Sequence, residues 1–376
     1  MNKENNKNKK YRITLTPVDK FFFGGDMTFQ VGTNEKDSFN EQFSSYIIRS
    51  AMYPQQTSLL GMLRFLILRN SGEKIFKNGK IVDKAEAEEL IGHKSFSVNK
   101  EQPENNEQPE NNEQTKSKFG KIIKLSHIRI QRTEGDNISE LEFAPLYGEM
   151  DWTNSNKSWL GFNEITIPEM PDYNAKDGLQ TQLTDGVNRY DFDDVFIEDR
   201  RIGIHRNIKT GKTEEGALFK QIAYRFKDKD ASHCFVFDAE IADDVDFKSY
   251  NGQLVSVGGD NSYFIIGISV YDNPKSSIHS VDNAVYLLSP AYLTREDVRL
   301  AKFAITNLIP FRFLESTLNA KSYSILNKDV SRSKVKYELY APGSIFYFED
   351  DKTKNDFIKI LEFKKEFRQI GYNEYK

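Results

Sequence analysis

Along residues 11–16 (YRITLT) the apolar positions alternate, with Tyr11, Ile13 and Leu15 on one side and Arg12, Thr14 and Thr16 on the other. Successive strand side chains point to opposite faces, so this spacing predicts a half-buried opening strand. The run Phe21-Phe22-Phe23 then meets Gly24-Gly25, where the chain leaves the strand through a loop whose backbone can come close to a ligand. After a long polar stretch, residues 57–69 are apolar almost throughout. Pro54 upstream, Thr57 as the N-cap, Arg69 in the last turn and Gly72 as the stop predict a helix there. A helix apolar on most sides is expected to be buried against a sheet, with Gly61 allowing close backbone approach and Arg64 as its only interior charge.

Residues 101–114 repeat EQPENN in tandem and have nothing to bury, which predicts a disordered insertion over about 99–118. Strand patterns follow at 121–132, where the alternation slips near Ile122-Ile123, and at 142–147. Residues 202–226 read as two strands around the turn Lys209-Thr210-Gly211-Lys212, a basic hairpin within 200–227. Residues 233–241 and 263–271 are again strand-like, the second preceded by Gly258-Gly259. The expected organisation is a basic tail (1–10), a first domain ending near residue 275 and a second over 276–376. In the second, strands at 284–288, 323–327 and 335–349 (around Pro342-Gly343) and helices at 295–308 and 355–367 follow a β-α-β-β-α order. The fold class read from this pattern is α+β, with two ferredoxin-like (RRM-like) β-α-β-β-α-β units, long insertions and a basic β-hairpin.

Composition supports real cores, since 28 Phe and 18 Tyr stand among 376 residues. A single cysteine, Cys234, excludes a disulfide framework and points to the cytosol. The first ten residues lack an apolar core and read as a tail and not a signal peptide, and the longest apolar run, 59–68, is too short for the roughly 20 residues a membrane span needs. Net charge is −4, but it is unevenly spread: nine acidic and two basic residues lie between Glu169 and Asp199, against nine basic and three acidic between Arg200 and Lys229. An acidic stretch therefore abuts a basic one.

Gly-Gly-Asp occurs twice, at Gly24-Gly25-Asp26 and Gly258-Gly259-Asp260. Palm-type polymerases and cyclases use a similar turn with a second carboxylate to hold magnesium, but here the next residues are Met27 and Asn261. The triplets are accordingly read as glycine turns beside strands. Asp191, Asp193, Asp194, Glu198 and Asp199 lack the glycine and the spaced glutamate of a calcium loop and read as a solvated acidic loop. The five histidines show neither zinc nor nucleophile-base spacing. Only His205, in the basic hairpin, stands where a ribonuclease base would be wanted, and stacking on a base or packing on an aromatic is the favoured reading. No metal, no cofactor and no catalytic residue are expected. For RNA, Arg201, Arg206, Lys209 and Lys212 would supply phosphate contacts, while Phe23, Tyr53 and His205 would supply π-faces. On composition alone, a solvated charged face is the more frequent explanation of the same lysines and arginines.

Several segments together resemble one family: the early strand, the FFFGG loop, YPQQTSLLGMLRFLIL (53–68), RIGIHRNIKTGKTEEGALF (201–219), VGGDNSYF (257–264), LSPAYL (288–293) and APGSIFYFE (341–349). They are similar to the third Cmr subunit, a RAMP-superfamily protein of type III-B CRISPR effector complexes, in matching order from residue 11 to about 350. Gln55-Gln56 where prolines are common, Ser289 for a frequent threonine, and the EQPENN insertion depart from that pattern. The resemblance implies two ferredoxin-like folds, no nuclease activity and binding of the guide-RNA (crRNA) 5′ handle. It further implies docking on the large subunit that carries the polymerase-cyclase palm, a neighbouring Cmr backbone subunit, and indirect contact with target RNA. It places Lys20, Arg49, Tyr53, Gln55, Gly343 and Ser344 at the RNA, lets Gly258-Gly259 approach phosphate, and makes Arg201, Arg206, Lys209 and Lys212 a thumb that kinks the RNA. A type III-A counterpart and a guide-processing endoribonuclease of the same superfamily are the competing expectations.

Overall fold

A computed structural model describes residues 8–25, 27–31, 44–92, 96, 118–148, 150–160, 163–171, 173–174, 176, 179–206, 209–211, 213–270, 283–316 and 330–376. The chain forms two compact units interleaved in sequence. The first comprises Met1–Ser139, Asp193–Asn273 and Phe313–Ser333, the second Glu140–Phe192, Pro274–Arg312 and Lys334–Lys376. The change of unit at Asn273/Pro274 falls beside the expected boundary, yet 140–192 join the C-terminal part and 313–333 return to the first. Contacts between distant segments bring about this exchange: Leu146 N–H donates to the Gly343 carbonyl and the Tyr347 hydroxyl to the Gly148 carbonyl, while Phe313 packs edge-on to Phe96.

In the first unit the opening strand Lys9–Pro17 lies between Ser232–Ile241 and Tyr263–Val270, antiparallel to both. Its register sets Ile13 opposite Phe237 and Ile268, and Leu15 opposite Phe235 and Ile266, all of them buried. The period-2 pattern thus places one apolar face in the core. The stretch 121–132 breaks into two strands, Ile122–Leu125 and Arg129–Glu134, which occupy the two ends of the same partner strand. The strand expected at 142–147 runs earlier, at Asn137–Phe143.

The apolar helix spans Gln56–Arg69 and buries Leu59, Leu60, Met62, Leu63, Leu66, Ile67 and Leu68. Two local expectations are corrected, and the interior charge of Arg64 is accounted for. The N-cap is Gln55 with no side-chain cap bond, and Thr57 falls inside the first turn. Gly61 is exposed and a Cβ there would meet nothing within 4 Å, so it admits no neighbour. Arg64 does have a packing role: Nη2 donates to the Lys118 carbonyl at 3.2 Å and its guanidinium lies 5.2 Å from the centroid of the Phe119 ring. Among the described residues no helix is long and apolar enough to cross a membrane.

The polar stretch after the FFFGG loop contributes two strands that the pattern missed, Met27–Val31 and Ser44–Arg49. They extend the basic hairpin into a four-stranded ribbon: Phe196–Arg206 pairs antiparallel with Thr213–Phe226, which pairs parallel with Ser44–Arg49. The hairpin therefore starts at Phe196, and of the acidic residues expected in a loop, Asp193 and Asp194 lie in a short helix, Phe192–Val195, Glu198 and Asp199 in the hairpin stem, and Asp191 just ahead of the helix.

In the second unit, Ile345–Tyr347 lies between Ala284–Tyr286 and Phe303–Ile305, antiparallel to both. Helix Asp351–Phe363, capped by Asp350, packs Phe357 and Leu361 against Val285, Leu287 and Phe346. The helix expected at 295–308 starts with a capping box from Thr294 and Asp297 but covers only Arg295–Val298, and the rest becomes Phe303–Ile305 and Leu308–Phe311 because sheet partners are available. The strands around Pro342-Gly343 do not pair with one another; each takes a different partner. The helix expected at 355–367 ends at Phe363, and Lys365–Gln369 forms a separate turn. The EQPENN repeat and the strand expected at 323–327 lie outside the described residues. The architecture is a mixed, strand-rich α/β fold.

Candidate nucleic-acid interface

The two glycine turns singled out in the sequence are neighbours in the first unit. Phe21 exchanges backbone hydrogen bonds with Tyr224, its N–H donating at 2.7 Å and its carbonyl accepting at 3.0 Å. Phe22 then accepts from the Gly259 amide at 2.8 Å and donates its own N–H to Ser262 Oγ at 2.8 Å. Phe23 N–H donates to Ser50 Oγ at 2.8 Å. Gly258 has φ +94°, and a Cβ there would collide with the Phe22 carbonyl; a Cβ on Gly25 would collide with the carbonyl of Arg49. Both glycines are thus required for backbone packing within the chain, although Gly258 and Gly259 remain exposed. Asp260 and Asn261 continue the turn in the left-handed region, and the Asp260 carboxylate accepts from Gln221 Nε2. Among the described residues, no three His, Cys, Asp or Glu side chains come together to hold a metal ion.

Beneath these turns is an aromatic cluster. Phe21 stacks on Phe23 with centroids 5.0 Å apart, Phe23 stacks on Phe264 at 6.0 Å, and Phe235 meets Phe21, Phe23 and Phe226 at 5.2, 5.6 and 4.9 Å. Each such pair contributes about 0.5–1.5 kcal/mol beyond its area. The Tyr53 ring packs edge-on to Phe196 and Phe235, and burial pushes its hydroxyl well above the usual tyrosine range. Phe23 and Tyr53, expected to offer π-faces to bases, are therefore placed against the core.

Charge is arranged on both faces of the ribbon. Alternation along Phe196–Arg206 sends Glu198 and Arg200 to one face and Asp199 and Arg201 to the other. On the first face, Arg200 lies 2.7 Å from the Glu198 carboxylate, and Arg49, placed opposite Ile222 by the parallel pairing, donates to the same carboxylate and to the Tyr224 hydroxyl at 3.1 Å. Burial would raise Glu198, but the hydrogen bonds from Arg200 and Arg49 prevail and hold it below the usual carboxylate range. The hydrogen bond to Tyr224 is the main reason Arg49 is held above its ordinary value. On the second face, Asp199 pairs with Arg201 at 3.1 Å and Lys20 at 3.7 Å, beside a shallow depression lined by Lys20, Phe21, Phe22, Gln221, Ala223, Asp260 and Ser262. Exposed pairs of this kind contribute only about 0–1 kcal/mol each, so they place side chains more than they stabilise the fold.

Of the residues expected at RNA, the first unit brings Lys20, Phe23, Arg49, Tyr53, Arg201, Gly258 and Gly259 onto one set of connected elements. Gln55 is exposed at the start of the helix, and Lys209 is exposed beside Gly211, whose φ of +69° forms the hairpin turn. Lys212 and the side chains of His205 and Arg206 lie outside the described residues. Gly343 and Ser344 are in the second unit and fully buried, contrary to an RNA-contact role there. Gly343 donates to Leu287 O at 2.7 Å and accepts from Leu146 N at 2.8 Å, and Ser344 Oγ accepts from Asn307 N at 3.3 Å. Glu198, Asp199, Arg200, Gln221 and Tyr224 were not anticipated. The sequence signal was the run Glu198-Asp199-Arg200-Arg201, in which each acid precedes a base by two residues, the spacing of one strand face.

A search of curated proteins finds no match. Chains of two cryo-EM structures are similar at 14% identity and a TM-score of 0.47 each. One is the Type III-B Cmr-beta bound to cognate target RNA and AMPPnP, state 1 (96% of this chain and 94% of that chain covered), the other the Type III-B Cmr-beta bound to cognate target RNA (97% and 96%). The family model described as CRISPR-associated protein (Cas_Cmr3) matches residues 13–375. With nearly the whole chain matched in sequence, in agreement with the segments from the FFFGG loop to APGSIFYFE, this protein belongs to the Cas_Cmr3 family of CRISPR-associated proteins.

Proposed function

We propose that this chain is a non-catalytic RNA-binding subunit of a type III-B CRISPR effector complex, that it holds the 5′ handle of the guide RNA, and that it docks on the large polymerase-cyclase subunit. The observation that carries the reading is the set of exposed arginines on the ribbon, Arg49 and Arg200 on one face and Arg201 on the other, beside the paired glycine turns, in a chain of the Cas_Cmr3 family. Strand-borne cations at a β-ribbon surface suit phosphate contact, and backbone packing around Phe22 and Gly259 holds the neighbouring loop in place. The same reading assigns each unit to a ferredoxin-like plan, supported by antiparallel strands backed by Gln56–Arg69 in the first and by Asp351–Phe363 in the second. It also places the protein in the cytoplasm, with a neighbouring backbone subunit and, indirectly, target RNA as partners.

The test is binding of the host's own repeat-derived guide RNA by the full chain and by Arg49→Gln/Arg201→Gln. The double variant is expected to lose about 1–3 kcal/mol of affinity while keeping its melting temperature. Unchanged affinity would overturn the assignment of this surface. Incubation with repeat RNA is expected to leave it intact, and His205-dependent cleavage would favour the endoribonuclease reading instead.

A further inference from the structure

We infer that Glu198 and Asp199 are specificity-determining residues of this surface: each holds two cations in ion pairs, so that generic phosphate must compete with a built-in carboxylate, whereas a guide RNA making the surface's other contacts displaces it. The inference rests on the reading of this surface as an RNA site. Its basis is the symmetry of the two pairs. Glu198 takes Arg200 from its own strand and Arg49 from the neighbouring segment, and Asp199 takes Arg201 from its own strand and Lys20 from the neighbouring loop. Being adjacent in a strand, the two carboxylates serve opposite faces, so both sides of the ribbon are restrained in the same way.

Exposure shows which partner is free to change. The side chains of Arg200, Arg201 and Arg49 are 62%, 58% and 52% exposed, those of Glu198 and Asp199 only 24% and 31%. The three arginines lie outermost, over the carboxylates, within reach of a phosphate arriving from solvent, whereas Lys20, 14% exposed, holds Asp199 from the inner side. Arg49 also has a second anchor in the Tyr224 hydroxyl, and Gln221 is tied to Asp260, so the surface keeps its shape when a carboxylate is displaced. Electrostatic RNA affinity scales with the phosphates a protein neutralises, and a cation that already has a carboxylate contributes less to that term. On each face three charged groups therefore present a net charge of about +1 instead of +2 to a passing RNA, which lowers sequence-independent binding before it lowers specific binding.

The experiment compares the full wild-type chain with Glu198→Gln/Asp199→Asn, which keeps side-chain size and hydrogen-bonding capacity. Fluorescence anisotropy is measured with the host's repeat-derived guide and with a uridine homopolymer of equal length, from 50 to 200 mM salt. The homopolymer is expected to bind on the order of tenfold tighter to the variant at the lowest salt, with a salt slope steeper by about 1–3. The guide should gain less, so the ratio of the two affinities falls. An unchanged or larger ratio in a variant that melts like the wild type overturns the inference. Glu198→Asp, which retains the charge but shortens its reach, gives the same comparison if the double variant does not fold, and a smaller fall in the ratio is expected. Failure of the underlying site looks different: wild type would not bind the guide, or Arg49→Gln/Arg201→Gln would bind it unchanged. A failure of this inference alone leaves both of those results as expected.

Discussion

The turns at Gly258-Gly259 and Gly343-Ser344 are nearly the same locally and opposite in setting. Both leading glycines have positive φ, +94° and +84°, and in both a Cβ would press on a backbone carbonyl, that of Phe22 in one and of Ala144 in the other. The first is exposed beside an ionic network; the second is enclosed, with Ser344 0% exposed and its neighbours Ile345 and Phe346 in the core. A glycine at positive φ therefore reports that something comes close, without reporting what. Here it is the chain's own backbone in both cases, and only the side of the turn facing solvent distinguishes a surface available to a ligand from a core packing detail.

That comparison is sharpened most by Gly343→Ala. The added carbon would lie 2.7 Å from the Ala144 carbonyl in a buried turn, so stability should fall by about 3 kcal/mol in chemical denaturation, from backbone strain and overpacking together. Guide affinity of the folded protein should not change; a selective loss of affinity would restore this turn to the RNA surface. Gly258→Ala meets a similar obstacle in an exposed turn that has room to shift, so a smaller loss of about 1–2 kcal/mol is expected. Because the Phe22 carbonyl must move, guide binding should weaken as well, and equal behaviour of the two variants would break the contrast. Gly61→Ala is the reference, a helical glycine with open space around its Cβ position. It should raise stability by about 0.5–1 kcal/mol, and a loss instead would reveal a close neighbour at that face.

Legibility from sequence followed the range of the interactions. The opening strand and the helix at Gln56–Arg69 were readable to within two residues because the alternation of Tyr11, Ile13 and Leu15 and the apolar run Leu59–Leu68 are local records of burial. The stretch 295–308 was not, because Phe303–Ile305 is decided by pairing with Ile345–Tyr347, forty or more residues away. At the candidate site, the basic residues of the hairpin were visible as composition. Their partners were not, since Lys20 and Arg49 reach Asp199 and Glu198 across some 150 residues or more of chain. Phe23 and Tyr53 were read as stacking faces because an aromatic in a loop looks the same in sequence whether it faces water or a core.

By itself, then, the sequence determined that the opening strand buries one face and that the run Leu59–Leu68 is buried, that acidic and basic runs adjoin, and, through the order of its segments, the family. These properties are written in spacing of a few residues or in a pattern that survives along the whole chain. The tertiary structure decided that the last two acids of the acidic run pair with the first two arginines of the basic run and with Lys20 and Arg49, that one glycine turn faces solvent while the other is enclosed, and that two units exchange segments. Each depends on which strand edges and side chains meet across long separations, and loop closure leaves no local periodicity from which those meetings can be read.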